Sequence, residues 1–419
     1  MTPDVVVVGG GPAGLAAARA ASLRGLETLI AERNGRLARK LLITGKGRCN
    51  VANTADRDAT MRNVVTNASF LYSALSRFGC AEIRSLLEGA GVHTKVERGG
   101  RVFPESDRAA DVSRALERLA REAGARVMTG ARVESVAAPE GAVESVRLCG
   151  GETLRCRSVI LCTGGASYPA TGSTGDGYRI ARALGHSITP LRPALVAISL
   201  KDPFVADLEG LSLKNVQLSL LRKGKTVFSE LGEMLFTEKG ISGPLALSAS
   251  SHMKQPAREY AIELDMKPGL DLGRLDRRLL RDFGAYSNRQ FNNALGDLLP
   301  GRLIPVCIRF SGVDPLKPVH QVTAGERARL AGLLKRWRLQ PEALGPIKEA
   351  IVTGGGVRVR EVDPKSMESR LVCGLHFAGE VLDVDALTGG YNLTIALSTG
   401  HAAGSHCLGG APEDTYLPN

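Results

Sequence analysis

The sequence holds a single tryptophan in 419 residues, with only 7 tyrosines and 10 phenylalanines. So few rings suit aliphatic packing around glycine turns, and nowhere do aromatic and basic residues interleave as in an RNA-binding module. None of the 8 cysteines stands in a CxxC pair, so neither a dithiol redox centre nor a metal site is indicated. With no signal peptide before the first strand, these thiols are expected to stay reduced in the cytoplasm. No run of about 20 residues is apolar enough to span a bilayer, so no membrane partner is expected. Acidic residues are the minority, 43 against 54 Lys and Arg, for a net charge of +11. The basic residues read as spread along the chain, with no basic tail, which favours an ordinary basic surface and disfavours nucleic acid as a partner.

What is present is organised around Asp4 to Glu32. Val5 to Val8 form an uninterrupted apolar run, as in a strand buried on both faces of a parallel sheet. Gly9-x-Gly11-x-x-Gly14 follows. In that spacing Gly9 permits a tight turn, Gly11 lets a pyrophosphate approach bare backbone, and Gly14 lets a helix pack closely on the sheet. Pro12 fits a first helical turn, where its missing N–H is spare, and Ala13 to Ala21 is a strong helix former. A second strand, Glu27 to Ala31, leads to Glu32, an acid placed to meet a ribose hydroxyl. Glu32 disfavours a 2′-phosphate, leaving FAD or NAD as the ligand.

Further on, Leu41 to Asn53 combines spaced glycines, Lys46, Arg48 and two asparagines, a loop furnished to wrap a phosphate and a ring edge. Ser69 to Gly91 has helical spacing, Val92 to Phe103 reads as a hairpin, and Pro104-Glu105-Ser106-Asp107 is expected to cap a helix reaching about Ala123. Arg126 to Gly130, Ala131 to Ala138, Ser145 to Leu148 and Thr153 to Arg157 read as strands. Ser158 to Cys162 is a buried strand running into Thr163-Gly164-Gly165, bare backbone at the carboxyl edge of a sheet. Beyond Pro193 the βαβ alternation stops, and strands at Leu195 to Leu200, Val216 to Leu221, Thr226 to Phe228 and Tyr260 to Asp265 predict an antiparallel barrel or sandwich. Leu270 to about Leu339, including Trp337, reads as helical. Near the end, a strand closes on Gly379-Glu380, and Gly389-Gly390-Tyr391-Asn392 opens a helix from Leu393 to Ala403, a second helix N-terminus facing a phosphate or ring. A ligand contacted from both ends of the chain is long, which favours FAD over NAD.

With these residues in view, the chain resembles the BaiN or aminoacetone-oxidase family of bacterial NAD(P)/FAD-dependent flavoproteins, within the glutathione-reductase-like group. The resemblance rests on GGGPAGLAAA, RKLLITGKGRCNVAN, GRVFPESDRAADV, TGGASYPATGSTGDGYRIARALGHSITPLRPALV, LFTEKGISGP, EAIVTGGGV and GLHFAGEVLDVDALTGGYNLTIALSTG. It implies an α/β fold: a Rossmann-like, glutathione-reductase-type FAD domain, discontinuous over 1–193 and 346–419, an inserted β-barrel-like domain at 194–268 and a helical subdomain at 269–345. It also implies contact with the pyrophosphate by Gly9, Gly11, Pro12, Ala13 and Gly14, and with the ribose by Glu32 and Arg33. Flavin-side contacts would come from Lys40, Gly45, Gly47, Arg48, Cys49, Asn50, Thr163, Gly164, Gly165, Gly379, Glu380, Asn392 and Leu393, and Val133 would offer its backbone to the adenine. The chain departs from the family where a histidine often stands at the start of the pair that here is Glu238-Lys239, and where a Thr-Gly-Thr-Arg run before EAIVT is missing.

The activity so implied is transfer of hydride from NAD(P)H through FAD to an unsaturated or carbonyl small molecule. No second GxGxxG follows a strand, so NAD(P)H would bind transiently. Arg48 and Tyr391 are the candidate catalytic groups, a cation for a developing anion and an acid/base hydroxyl. Flavin-dependent amine oxidation with oxygen, a tRNA-modifying flavoprotein and a non-catalytic flavin sensor stand as alternatives.

Overall fold

The computed structural model describes residues 2–409. The chain divides into two compact units, one made of Met1–Ala194 with Ile347–Asn419 and the other of Leu195–Pro346.

The first unit is built on a parallel sheet of β1 (Val5–Val8), β2 (Thr28–Glu32), β3 (Arg126–Thr129), β4 (Ser158–Leu161) and β5 (Leu375–Phe377), in the order β5-β4-β1-β2-β3. All of its registers are parallel. Every residue of β1, β2, β4 and β5 is buried, as the unbroken apolar runs require of strands covered on both faces. Two helices pack together over this sheet, α1 (Pro12–Leu23) and α2 (Tyr391–His406). Their approach is set by glycine: a Cβ on Gly400 would overlap the Ala13 carbonyl, and one on Gly404 would overlap that of Ala17. The two ends of the chain thus form one layer.

The second unit is an antiparallel sheet, built from 198–200, 212–222, 225–237, 240–242, 260–265, 337–339 and 341–344. Trp337–Leu339 pairs with Tyr260–Asp265, while Pro341–Leu344 pairs with Ile198–Leu200. These last two segments adjoin in the chain, so one bent strand closes the sheet into a barrel. Helices Leu272–Ala285, Ile304–Ser311 and Ala324–Lys335 share the barrel's hydrophobic core. The Glu238-Lys239 turn lines a polar cleft of about 240 Å³ together with Lys201, Asp202 and Glu342.

Three expectations need correction. Trp337 lies on a strand rather than a helix, because Arg336 ends the preceding helix outside helical geometry and Trp337 inserts into the core beside Phe204. Ser69–Gly91 is broken at Phe78-Gly79 into Tyr72–Arg77 and Cys80–Gly89. Asp107 caps nothing: the following helix, Ala109–Glu122, starts after Arg108 without a side-chain cap, and Asp107, at φ 53°, turns its carboxylate to Lys95 and Arg48.

Intrinsic propensity alone says that Gly400→Ala should stabilise α2 by about 1 kcal/mol. The overlap with Ala13 predicts the opposite sign, a loss of about 1–3 kcal/mol in urea unfolding.

Candidate functional site

The carboxyl edge of the parallel sheet carries the glycine loop. Gly9 takes φ 103°, and a Cβ there would come within 2.6 Å of the Cys162 carbonyl. Gly14 has no room either, against the Gly9 carbonyl, so the first turn of α1 lies directly on β1. Gly11 differs: a Cβ on it would meet nothing within 4 Å. It is the N-cap of α1, no side chain caps it, and the first turn, with Pro12 and Ala13, holds no acid. Its backbone N–H groups and dipole therefore face an open space without a competing anion, as a pyrophosphate requires.

Glu32 ends β2 nearly buried. Its Oε2 accepts the Gly10 N–H at 2.7 Å, and its Oε1 accepts the Asn34 N–H at 2.8 Å and the Asn34 side-chain amide at 2.7 Å. Three donors fix the carboxylate, leaving lone pairs for ribose hydroxyls. The Ala131 N–H bonds the Glu32 carbonyl at 2.8 Å, which brings the Val133 backbone near the same edge. Arg33 and Arg132 both hold Asp176, at 2.9 Å each. Burial alone would raise the Asp176 pKa; Arg132 and Arg33 bring it below the ordinary value.

From the other end of the chain, Glu380 meets Lys40. The Lys40 ammonium lies 2.8 Å from Glu380 Oε2 and 2.7 Å from Ser167 Oγ, and the Thr353 N–H donates to Glu380 at 2.9 Å. Burial works against the Glu380 charge, yet Lys40 and these donors hold its pKa below the ordinary range. A Cβ on Gly165 would run into both Thr353 and Glu380, and Gly164 takes φ 71° after Thr163. Gly379, at φ 76°, passes so close to α1 that a Cβ would lie 2.9 Å from the Ala13 methyl.

The 44–50 loop is unusually strained. Gly45, Lys46, Gly47 and Cys49 have φ of 56°, 58°, 85° and 63°. Two of the four are not glycine, and such conformations persist only where the surroundings enforce them. The enforcement is visible in Arg48: its guanidinium lies 4.2 Å over the Phe103 ring, bonds Asp107 at 2.7 and 2.9 Å, and pairs with Glu97. Both carboxylates push the Arg48 pKa further up, and the group braces the loop rather than offering an unpaired cation. Asn50, with its amide turned to satisfy both ends, donates to the Ala52 and Val102 carbonyls and accepts the Gly390 N–H at 3.1 Å. It therefore joins this loop to the start of α2. There Gly390 is the N-cap without a side-chain cap, Tyr391 opens the helix nearly buried, and Leu393 is half-buried. Asn392 bonds both the N–H and the carbonyl of Ala386, at 3.0 and 2.8 Å.

Contacts link Gly9, Gly10, Glu32, Lys40, Asn50, Gly165, Gly379, Glu380 and Gly390 within the first unit, and the chemistry suits a flavin dinucleotide: two uncapped helix N-termini, an open Gly11 and a fixed acid at the end of β2. Sequence reasoning missed Ser167, which holds Lys40, Thr353, which holds Glu380, and Asp107 and Glu97, which hold Arg48. Polar partners of charged residues, brought together only by the fold, leave no periodic signal. Among the described residues no cluster of His, Cys, Asp and Glu is arranged to hold a metal, and no helix is long and apolar enough to cross a membrane.

Residues 3–406 match the family described as HI0933-like protein Rossmann domain. The chain is 32% identical to the 3-dehydro-bile acid delta(4,6)-reductase of Clostridium scindens, covering 95% of this chain and 97% of that one. It is 31% identical to the ribosomal RNA dihydrouridine synthase of Escherichia coli, covering 95% and 96%. Among solved structures, the 3-ketosteroid delta1-dehydrogenase of Sterolibacterium denitrificans superposes with a TM-score of 0.53 at 15% identity, over 97% of this chain and 99% of that one, a likeness of fold.

Burial pushes the Cys49 thiol up to about 12. Its thiolate fraction at pH 9 is then about one in a thousand, so iodoacetamide should leave Cys49 unmodified in the native protein at that pH, as read by peptide mass mapping. Rapid alkylation of Cys49 would show that it is a reactive thiol after all.

Proposed function

The chain belongs to the HI0933-like family, and on that premise we propose that this FAD-dependent oxidoreductase reduces a carbon–carbon double bond conjugated to a carbonyl, with NAD(P)H as the source of hydride. The observation that carries the cofactor half is the pair of uncapped helix N-termini, at Gly11 and Gly390, on helices packed against each other. Support for the reaction half is chemical. A delta(4,6)-reductase of a 3-oxo steroid and a dihydrouridine synthase act on different molecules, yet each name describes saturation of a C=C bond next to a carbonyl.

FAD, when bound, supplies the two-electron chemistry. The chain's own residues bind and orient. The N-terminus of α1 would hold the pyrophosphate, and Glu32 would accept the ribose hydroxyls. Lys40, paired with Glu380 and bonded to Ser167, holds that carboxylate in one fixed position at the site. Tyr391 is the candidate to deliver the proton that must follow hydride onto the substrate, from the first residue of α2. Arg48 keeps the 44–50 loop in its strained form.

Anaerobic addition of NADH or NADPH to the purified yellow protein should bleach the flavin band, and a conjugated enone should restore it. Bleaching only by an amine would move the reading to amine oxidation, and a protein that cannot be reconstituted with FAD would remove it. Tyr391→Phe should lower turnover by about 10²-fold with FAD retained. Arg48→Ala should also lower turnover, and the double variant Glu97→Gln, Asp107→Asn should reproduce that defect. Full activity of the double variant would return Arg48 to a direct electrostatic role.

A further inference from the structure

The antiparallel sheet of the second unit leaves one stretch of edge uncovered. Its longest strand, Lys225–Thr237, pairs along one side with Ser212–Arg222. On the other side Gly240–Ser242 covers only Leu235, Phe236 and Thr237. Among the described residues no strand pairs with that side of 228–234, and Ser229, Glu230, Leu231 and Glu233 are exposed. A bulge at Val227, where the register slips against Leu220 and Leu221, bounds the open stretch at its other end.

Alternation decides what this edge presents. Phe236 donates its N–H to the Leu211 carbonyl, on the paired side, so every second residue before it points its backbone groups the same way. The slip at Asn215 lies in the partner strand and leaves this alternation intact. Ser229, Leu231 and Glu233 therefore turn their N–H and C=O groups outward. The two faces of the strand are as distinct. Met234 and Phe236 are buried in the barrel core and Gly232 abuts Leu245, whereas Leu231, on the opposite face, is 58% exposed. Open edges are commonly blunted by lysine or proline, and 228–234, FSELGEM, has neither.

What fits such an edge is another strand, and the chain supplies one. Leu231 lies midway between the bulge at Val227 and Leu235, where pairing resumes. An antiparallel neighbour related by a two-fold axis through Leu231 therefore meets the open stretch over its full length. In that register Leu231 faces its own copy, Ser229 faces Glu233, and Glu230 faces Gly232. The exposed leucines cover each other, each Glu233 gains a hydroxyl donor, and no like charges stand opposite. The outward groups of Ser229, Leu231 and Glu233 would close about six backbone hydrogen bonds, two at each opposed pair. We propose that the edge from Ser229 to Glu233 joins two copies of this chain into a symmetric dimer with a continuous antiparallel sheet. An unrelated strand could satisfy the same backbone groups, but nothing would oblige it to set an apolar side chain on Leu231 and a hydroxyl on Glu233. The proposal does not depend on the reductase reading.

The test follows the full-length FAD-loaded protein by sedimentation velocity from about 1 to 100 μM, because a small interface associates weakly. The wild type should pass from monomer to dimer across that range. Leu231→Lys sets two like charges opposite each other and should raise the dissociation constant at least about tenfold, with the far-UV circular dichroism unchanged. Leu231→Cys, in a chain whose exposed cysteines are removed by Cys149→Ser and Cys373→Ser, should form an intermolecular disulfide on mild oxidation, since directly opposed residues bring their Cα atoms within bridging range. Lys225→Cys in the same background, outside the paired stretch, should not. A wild type that stays monomeric at the highest concentration overturns the proposal, and so does a dimer that Leu231→Lys leaves intact. Cross-linking through Lys225→Cys in place of Leu231→Cys shows a different register and also overturns it. A monomer that captures a fluorescein-labelled peptide of residues 228–234, and loses it on Leu231→Lys, gives the edge to a foreign strand and ends the proposal.

Discussion

Everything in the first unit depends on how closely α1 and α2 approach. Gly400 and Gly404 let α2 rest on the backbone of α1, and Gly14 lets α1 rest on β1. Each missing Cβ lets backbone lie against backbone where a side chain would overlap it. The result is that two helix N-termini from opposite ends of the chain sit over one sheet edge, and the charged residues have something fixed to be arranged around. Glu32 is locked to Gly10, Glu380 to Lys40, and Asn50 to Gly390. None of these polar contacts would hold a defined geometry if the helices could drift.

The charged pairs divide into two kinds. Lys40 with Glu380 is only about one-fifth exposed, and removing one partner would leave the other a poorly solvated charge. Most arginine pairs of the second unit are exposed, where an ion pair adds about 1 kcal/mol or less. The first kind fixes a site. The second leaves charge available to the outside.

Legibility in the sequence followed the same physics. The buried parallel strands, the tight turn at Gly9, the close packing at Gly14, and the glycine turns at 164–165 and 389–390 were readable because bare backbone and unbroken apolar runs have few other uses. The barrel was readable as alternating strands, although its closure was not, since that depends on Trp337 leaving the helical pattern for a strand. The role of Asp107 was misread because an acid before a helix looks like a cap, and only the fold shows Arg48 and Lys95 within reach.

The interrupted layout of the first unit sets an order for its assembly. Its central strands come from residues 5–8 and 158–161, but the edge strand is at 375–377 and the helix that packs on α1 is at 391–406. A ribosome has therefore delivered the whole of Leu195–Pro346 before the flavin unit can close. The barrel and its helices, complete in sequence, can fold as a unit while β1, β2 and β4 wait for their last partner, so the longest-lived vulnerable state of a nascent molecule is a half-finished parallel sheet with one open edge.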